Sequence, residues 1–142
     1  MYFVDKDLLL RRLDYIEYLI TEIDTDHTLA LERVCQMLIE ATVDVGSMII
    51  DAFILRDPGN YLDVMDIMKN EKVIPEADFS KFEATFKWRN ALVRDYKQID
   101  HEAMRSEFKD NLSAYQNFKK NVEHFFKTDP QAVTAFMNDK NK

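Results

Sequence analysis

Residues 28–55 read TLALERVCQMLIEATVDVGSMIIDAFIL, and this run decides the fold. Leu31, Val34, Cys35, Leu38, Thr42, Val45, Ile49, Ala52 and Phe53 recur every three or four residues, which is the period of one helical face. No Pro interrupts it. Gly46 alone sits inside it, costing roughly 1 kcal/mol relative to Ala and inviting close approach of another backbone. A long amphipathic helix over about Thr28–Leu55 is expected. Cys35 on this apolar face reads as a small buried hydrophobe rather than a reactive thiol. As the single cysteine it can form no internal disulfide.

The same period extends outward on both sides. Leu9, Leu13, Ile16, Ile20 and Ile23 form a stripe for a first helix from Asp5 or Asp7 to Ile23, with the two aspartates favouring its positive end. Asp57-Pro58-Gly59-Asn60 is the clearest turn, and Asn60 can cap a short third helix with Tyr61, Val64, Met65 and Met68 inward. Pro75 suits the first turn of a fourth helix carrying Phe79, Phe82, Phe86, Arg89, Val93 and Tyr96. Asp100 is placed to cap a fifth helix bearing Met104, Phe108, Leu112, Tyr115, Phe118, Val122 and Phe125. The fold class is therefore all-α, an antiparallel bundle of four or five helices. One domain over residues 1–142 is expected, with a flexible tail from about 128.

Composition agrees and excludes several functions. Among 142 residues there are only two Gly and three Pro, while 46% are hydrophobic, a balance that favours long helices over turn-rich sheets. A net charge of −7 argues against a broad duplex-binding surface, though a local cationic site is compatible with it. No apolar run reaches membrane-spanning length and the N-terminus lacks a signal pattern, so a cytoplasmic, non-membrane protein is expected. Phosphate-loop, zinc-ligand and serine-nucleophile signatures are absent, and no cofactor or metal is expected.

Arg89 breaks the pattern. It falls on the aromatic face with Phe82, Phe86 and Val93, where a charge needs a carboxylate partner, an exit to water or a role. Glu40, Asp44, Ser47 and Asp51 form an acidic stripe on the second helix. That stripe reads either as a solvated face or as a countercharge, with Glu40 and Asp44 the candidates for holding the guanidinium ready for an anion. An internal ion pair without further purpose is the plainer reading of Arg89.

The segment Trp88-Arg-Asn-Ala-Leu-Val-Arg-Asp-Tyr96 resembles the signature of HepT-like toxins, helical ribonucleases of the HEPN superfamily. That signature is Arg, four residues, His, one residue, Tyr. Arg89, Asn90, Leu92, Val93 and Tyr96 match it, and Arg94 replaces the His. Leu38–Ile50, Arg56–Tyr61 and Lys72–Pro75 resemble the family's second helix, its turn and the lead into its fourth helix, in the right order. The resemblance implies a homodimer that cleaves single-stranded RNA without a metal where motif helices of two subunits meet. It implies catalytic roles for Arg89, Asn90 and the residue at position 94. It further implies a minimal nucleotidyltransferase antitoxin as partner, with Tyr96 as the residue that partner adenylylates.

Arg94 changes the chemistry. Histidine can move a proton near neutral pH, whereas arginine stays protonated and can only bind or stabilise phosphate charge. His101, seven residues after Arg94, is the nearest substitute and needs the connection to fold back. On an unbroken helix Arg94 would point about 140° from Arg89, so both reach one phosphate only if the helix stops near Val93 or a second subunit supplies one of them. Three readings stay open: a toxin-type ribonuclease, an inactive helical dimer binding RNA, nucleotide or a partner protein, and a structural bundle.

Overall fold

The computed structural model describes residues 5–129, and the described residues hold helices and no strand. The expected C-terminal tail lies, beyond residue 129, outside them. Helix α1 spans Lys6–Thr21, and Asp5 caps it by accepting from the Leu8 N–H at 3.0 Å. Helix α2, Thr28–Phe53, buries the face read from its sequence, Leu31, Cys35, Leu38, Thr42, Val45 and Ile49 being wholly inaccessible. It stops two residues earlier than expected because Ile54 turns left-handed at φ 52°, which no helix can continue and which a β-branched side chain adopts only under local strain.

Helix α3, Tyr61–Asn70, starts on the expected Asn60 cap, whose Oδ1 accepts from Asp63 N–H at 2.8 Å. Helix α4 covers Glu76–Phe86, α5 Arg89–Val93, and a 3₁₀ turn Tyr96–Gln98; α6 is His101–Asp110 and α7 Leu112–Thr128. The helices pack as an antiparallel bundle, α1 on α2 and α7, α3 on α2 and α4, α4 on α7.

Two expected helices are each divided. The single fifth helix breaks at Asn111, whose side-chain N–H₂ donates back to the Glu107 carbonyl at 2.8 Å, a local bond of the kind that competes with helix continuation. Apolar periodicity survives the break, with Met104, Phe108, Tyr115, Phe118 and Val122 all buried, but at the far end Phe126 is the buried residue and Phe125 only half so. The fourth helix divides before Arg89. There Thr85, fully buried, shares a 2.7 Å hydrogen bond with Tyr115 of α7, and the Trp88 N–H bonds the Thr85 carbonyl three residues back. The tightened turn ends α4.

Gly46 makes room for side chains of α3 and not for the backbone approach its position suggested: a Cβ there would stand 2.5 Å from Val64 Cγ1. Gly46→Ala is expected to lose stability, because overpacking costs about 1–3 kcal/mol against a helix gain of at most about 1 kcal/mol. Adding Val64→Ala should recover part of that loss, and urea unfolding of both proteins checks the coupling. Burial pushes the Cys35 thiol up to about 12. It is expected to resist a thiol reagent at pH 8 until the protein is unfolded.

Candidate anion site at the start of α5

The separation of α5 from α4 sets the position of Arg89. Leu92 anchors the short helix against the core and is buried, while Arg89 stands at its first residue facing α2. Its Nε donates to Glu40 Oε1 at 2.9 Å. Tyr61, first residue of α3, donates its hydroxyl to the other oxygen of the same carboxylate at 2.8 Å and lies beneath the guanidinium, Cζ being 4.2 Å from the ring centroid. Arg89 Nη2 also reaches the Tyr61 hydroxyl at 3.4 Å. Three elements of the bundle meet in these three side chains.

The electrostatics follow from the geometry. The hydrogen bond to Glu40 strengthens the hold of Arg89 on its proton, and Tyr61 titrates above the ordinary phenol range, first because its hydroxyl is bound by Glu40 and then because it is partly buried. The Arg89 side chain remains 37% exposed. A pair this open contributes on the order of 1 kcal/mol or less, and the ring contact about 0.5–1 kcal/mol. Such sums orient a side chain more than they hold a fold together. Two guanidinium N–H groups are engaged by Glu40 and Tyr61, and the rest remain able to donate to an anion.

The other residues singled out by sequence distribute unevenly around this point. Asp44, one turn beyond Glu40, is exposed and has no hydrogen bond or ion pair among the described residues, so Glu40 alone holds Arg89. Asn90 donates its amide N–H₂ to Asp95 Oδ2 at 2.9 Å and braces the end of α5. That bond shapes the turn and leaves a second amide N–H, as well as the oxygen, open. The helix does stop at Val93: the N–H groups of Arg94 and Asp95 both close on the Asn90 carbonyl. Arg94 and Tyr96 emerge past that stop, both exposed, and the Arg94 side chain makes no hydrogen bond or ion pair among the described residues. His101 opens α6 and bonds Glu32 of α2, Nε2 to Oε2, at 2.7 Å. Glu32 and Glu40 are about 12 Å apart along α2, so this helix pins both ends of the segment from Arg89 to His101. Sequence reading missed Tyr61, taking it for core; the available signal was a phenol at an inward position, which requires a polar partner.

Among the described residues no three His, Cys, Asp or Glu side chains group as metal ligands would, and no helix is long and apolar enough to cross a membrane.

The model of the family described as "Ribonuclease HepT-like" matches residues 9–122. The chain belongs to the HepT-like ribonuclease family. A Bacillus subtilis (strain 168) relative named "Putative RNase YutE" is 34% identical over 143 residues, an alignment covering 96% of this chain and 99% of that protein. The solved structure of YutE from Bacillus subtilis, described as a cytosolic protein of unknown function, superposes with a TM-score of 0.86 at 33% identity, covering 95% of this chain and 99% of YutE. The HepT-like helical fold is thus shared along nearly the whole chain, and the Arg89 site belongs to a ribonuclease scaffold.

Replacing Glu40 by Gln removes the charge that raises Tyr61. In Glu40→Gln the Tyr61 phenol is expected to ionise at lower pH than in the wild type, and an ultraviolet titration of the pair of proteins, with Tyr61→Phe assigning the band, measures the shift. An unchanged Tyr61 transition would show that Glu40 does not govern the ring.

Proposed function

We propose that this HepT-like chain is the ribonuclease of a toxin–antitoxin pair, acting as a homodimer on single-stranded RNA, with Arg89 binding the scissile phosphate. One observation carries the reading: a guanidinium fixed at its Nε by Glu40 and braced on Tyr61, with its remaining N–H groups at an accessible surface. A side chain held this way meets an oxyanion with little further ordering, which is what preorganised charge stabilisation requires. Arg94 adds a second cation a few residues on, and Asn90 keeps the turn that separates the two. Tyr96, exposed at 58%, is accessible to a modifying enzyme, and a minimal nucleotidyltransferase partner would transfer its adenylyl group there.

A second reading is favoured by a specific residue. Arg94 occupies the histidine position and cannot exchange a proton near neutral pH, while His101 is engaged with Glu32. A HepT-like homodimer that binds RNA, a nucleotide or a nucleotidyltransferase without cutting would keep every contact described above. The two readings separate in one assay. Purified protein incubated with single-stranded RNA in EDTA is expected to cleave it, and Arg89→Ala to lower the rate by about two orders of magnitude, the size of effect found for a lost charge-stabilising donor. Cleavage equal in wild type and Arg89→Ala excludes Arg89 from the reaction. Absence of cleavage in wild type, with cleavage gained in Arg94→His, identifies the binding protein.

A further inference from the structure

Beside Arg89 an open groove of about 510 Å³ runs between the start of α3 and the end of α4, a size within the range of roughly 300–1,000 Å³ usual for small-ligand sites. Its walls are Tyr61, Leu62 and Phe86; Arg89 closes one end, and Asn60 and Glu83 stand on its rim. Lys87 also borders it, but the Lys87 ammonium is paired with Glu107 at 2.7 Å. The groove therefore has apolar walls, one cation at one end, and a carboxylate on its rim that has no hydrogen bond or ion pair among the described residues. A channel for phosphates would not carry Glu83, since a carboxylate repels the backbone charge. A flat, uncharged heterocycle with polar edges fits all three features. Asn60 spends its Oδ1 on capping α3, which leaves its N–H₂ to donate to a ring nitrogen or carbonyl, and Glu83 can accept from an exocyclic amino group.

We infer that this groove is a nucleobase subsite: it takes one unpaired base of single-stranded RNA, whose adjoining phosphate lies on Arg89. The inference rests on the reading of Arg89 as the phosphate-binding residue and extends it, because a base must be unstacked and unpaired to enter. Duplex RNA cannot present one. Selection of single strands is then a property of the groove and not of the cation.

Binding of a labelled short single-stranded RNA, made uncleavable by 2′-O-methyl riboses, tests this on the full chain. Leu62→Trp fills the groove from the half-buried α3 wall; Glu83→Trp does so from the exposed α4 wall and serves if the first variant melts early. Either is expected to weaken single-strand binding about tenfold, as the loss of one base contact does, while the weaker binding of inorganic polyphosphate stays unchanged in Leu62→Trp and is not weakened in Glu83→Trp, which loses a repelling carboxylate. Arg89→Ala should weaken both. Single-strand binding unchanged in a folded groove-filling variant, with Arg89→Ala weakened, overturns the base subsite and leaves the phosphate reading standing. Binding unchanged in all variants overturns both. Displacement of the RNA by AMP at concentrations no higher than those of unlabelled RNA overturns the assignment to a strand and gives the groove to a free nucleotide.

Discussion

A guanidinium on the inward face of a helical bundle needs a carboxylate partner or an exit to water, because an isolated buried charge costs several kcal/mol even after relaxation, and Arg89 has both. Glu40 is the carboxylate, and the way it binds organises the surrounding structure. Its two oxygens are divided between Arg89 Nε and the Tyr61 hydroxyl, so one side chain of α2 ties down the first residue of α3 and the first residue of α5. The consequence is geometric rather than energetic. An interaction worth on the order of 1 kcal/mol adds little to a domain's stability, yet it orients the Arg89 side chain at the start of α5. The direction of the following turn, with Arg94 and Tyr96 on it, depends on that start.

The hydrophobic face of α2 and the caps at Asp5, Asn60 and Asp100 were legible in the sequence because each depends on neighbours within one or two helical turns. The divisions at Phe86 and Asn111 were not, and for one shared reason. Apolar residues keep their helical spacing across both breaks, so periodicity runs on through them. At the end of α4 the Trp88 N–H turns back to the Thr85 carbonyl, and Thr85 is bonded to Tyr115, thirty residues away, a contact no local pattern contains. The polar partners of Tyr61 and His101 were hidden in the same way, Glu40 and Glu32 lying 21 and 69 residues away. Arg89 itself stood out as a charge on an aromatic stripe, and Glu40 was named with Asp44 as its countercharge; only the folded chain separates the two, by pointing Asp44 at solvent.

The end of α5 bears on whether two arginines could serve one anion. Two arginines five residues apart on one helix would diverge by about 140° and could not address one anion. α5 stops at Val93 with Arg94 as its cap, and the chain then tightens into the 3₁₀ turn at Tyr96. The amide of Asn90, bonded to Asp95, stabilises this exit. That bond shapes the loop that carries Arg94.

Charge sets the remaining limit. The chain carries seven more acidic than basic residues, so its overall field opposes approach of a polyanion, and the opposition grows as salt is lowered. A protein with this balance cannot hold RNA by counterion release over a broad surface. Affinity has to come from a few short contacts in which electrostatics is local and complemented by something uncharged. Arg89, already paired and oriented, can supply the first kind of contact at small entropic cost. Tyr61 and Leu62, half-buried, and the largely buried Phe86 line the neighbouring groove and are suited to the second. On the proposed function the net acidity would favour discrimination, opposing non-specific attachment of RNA away from Arg89 and its groove.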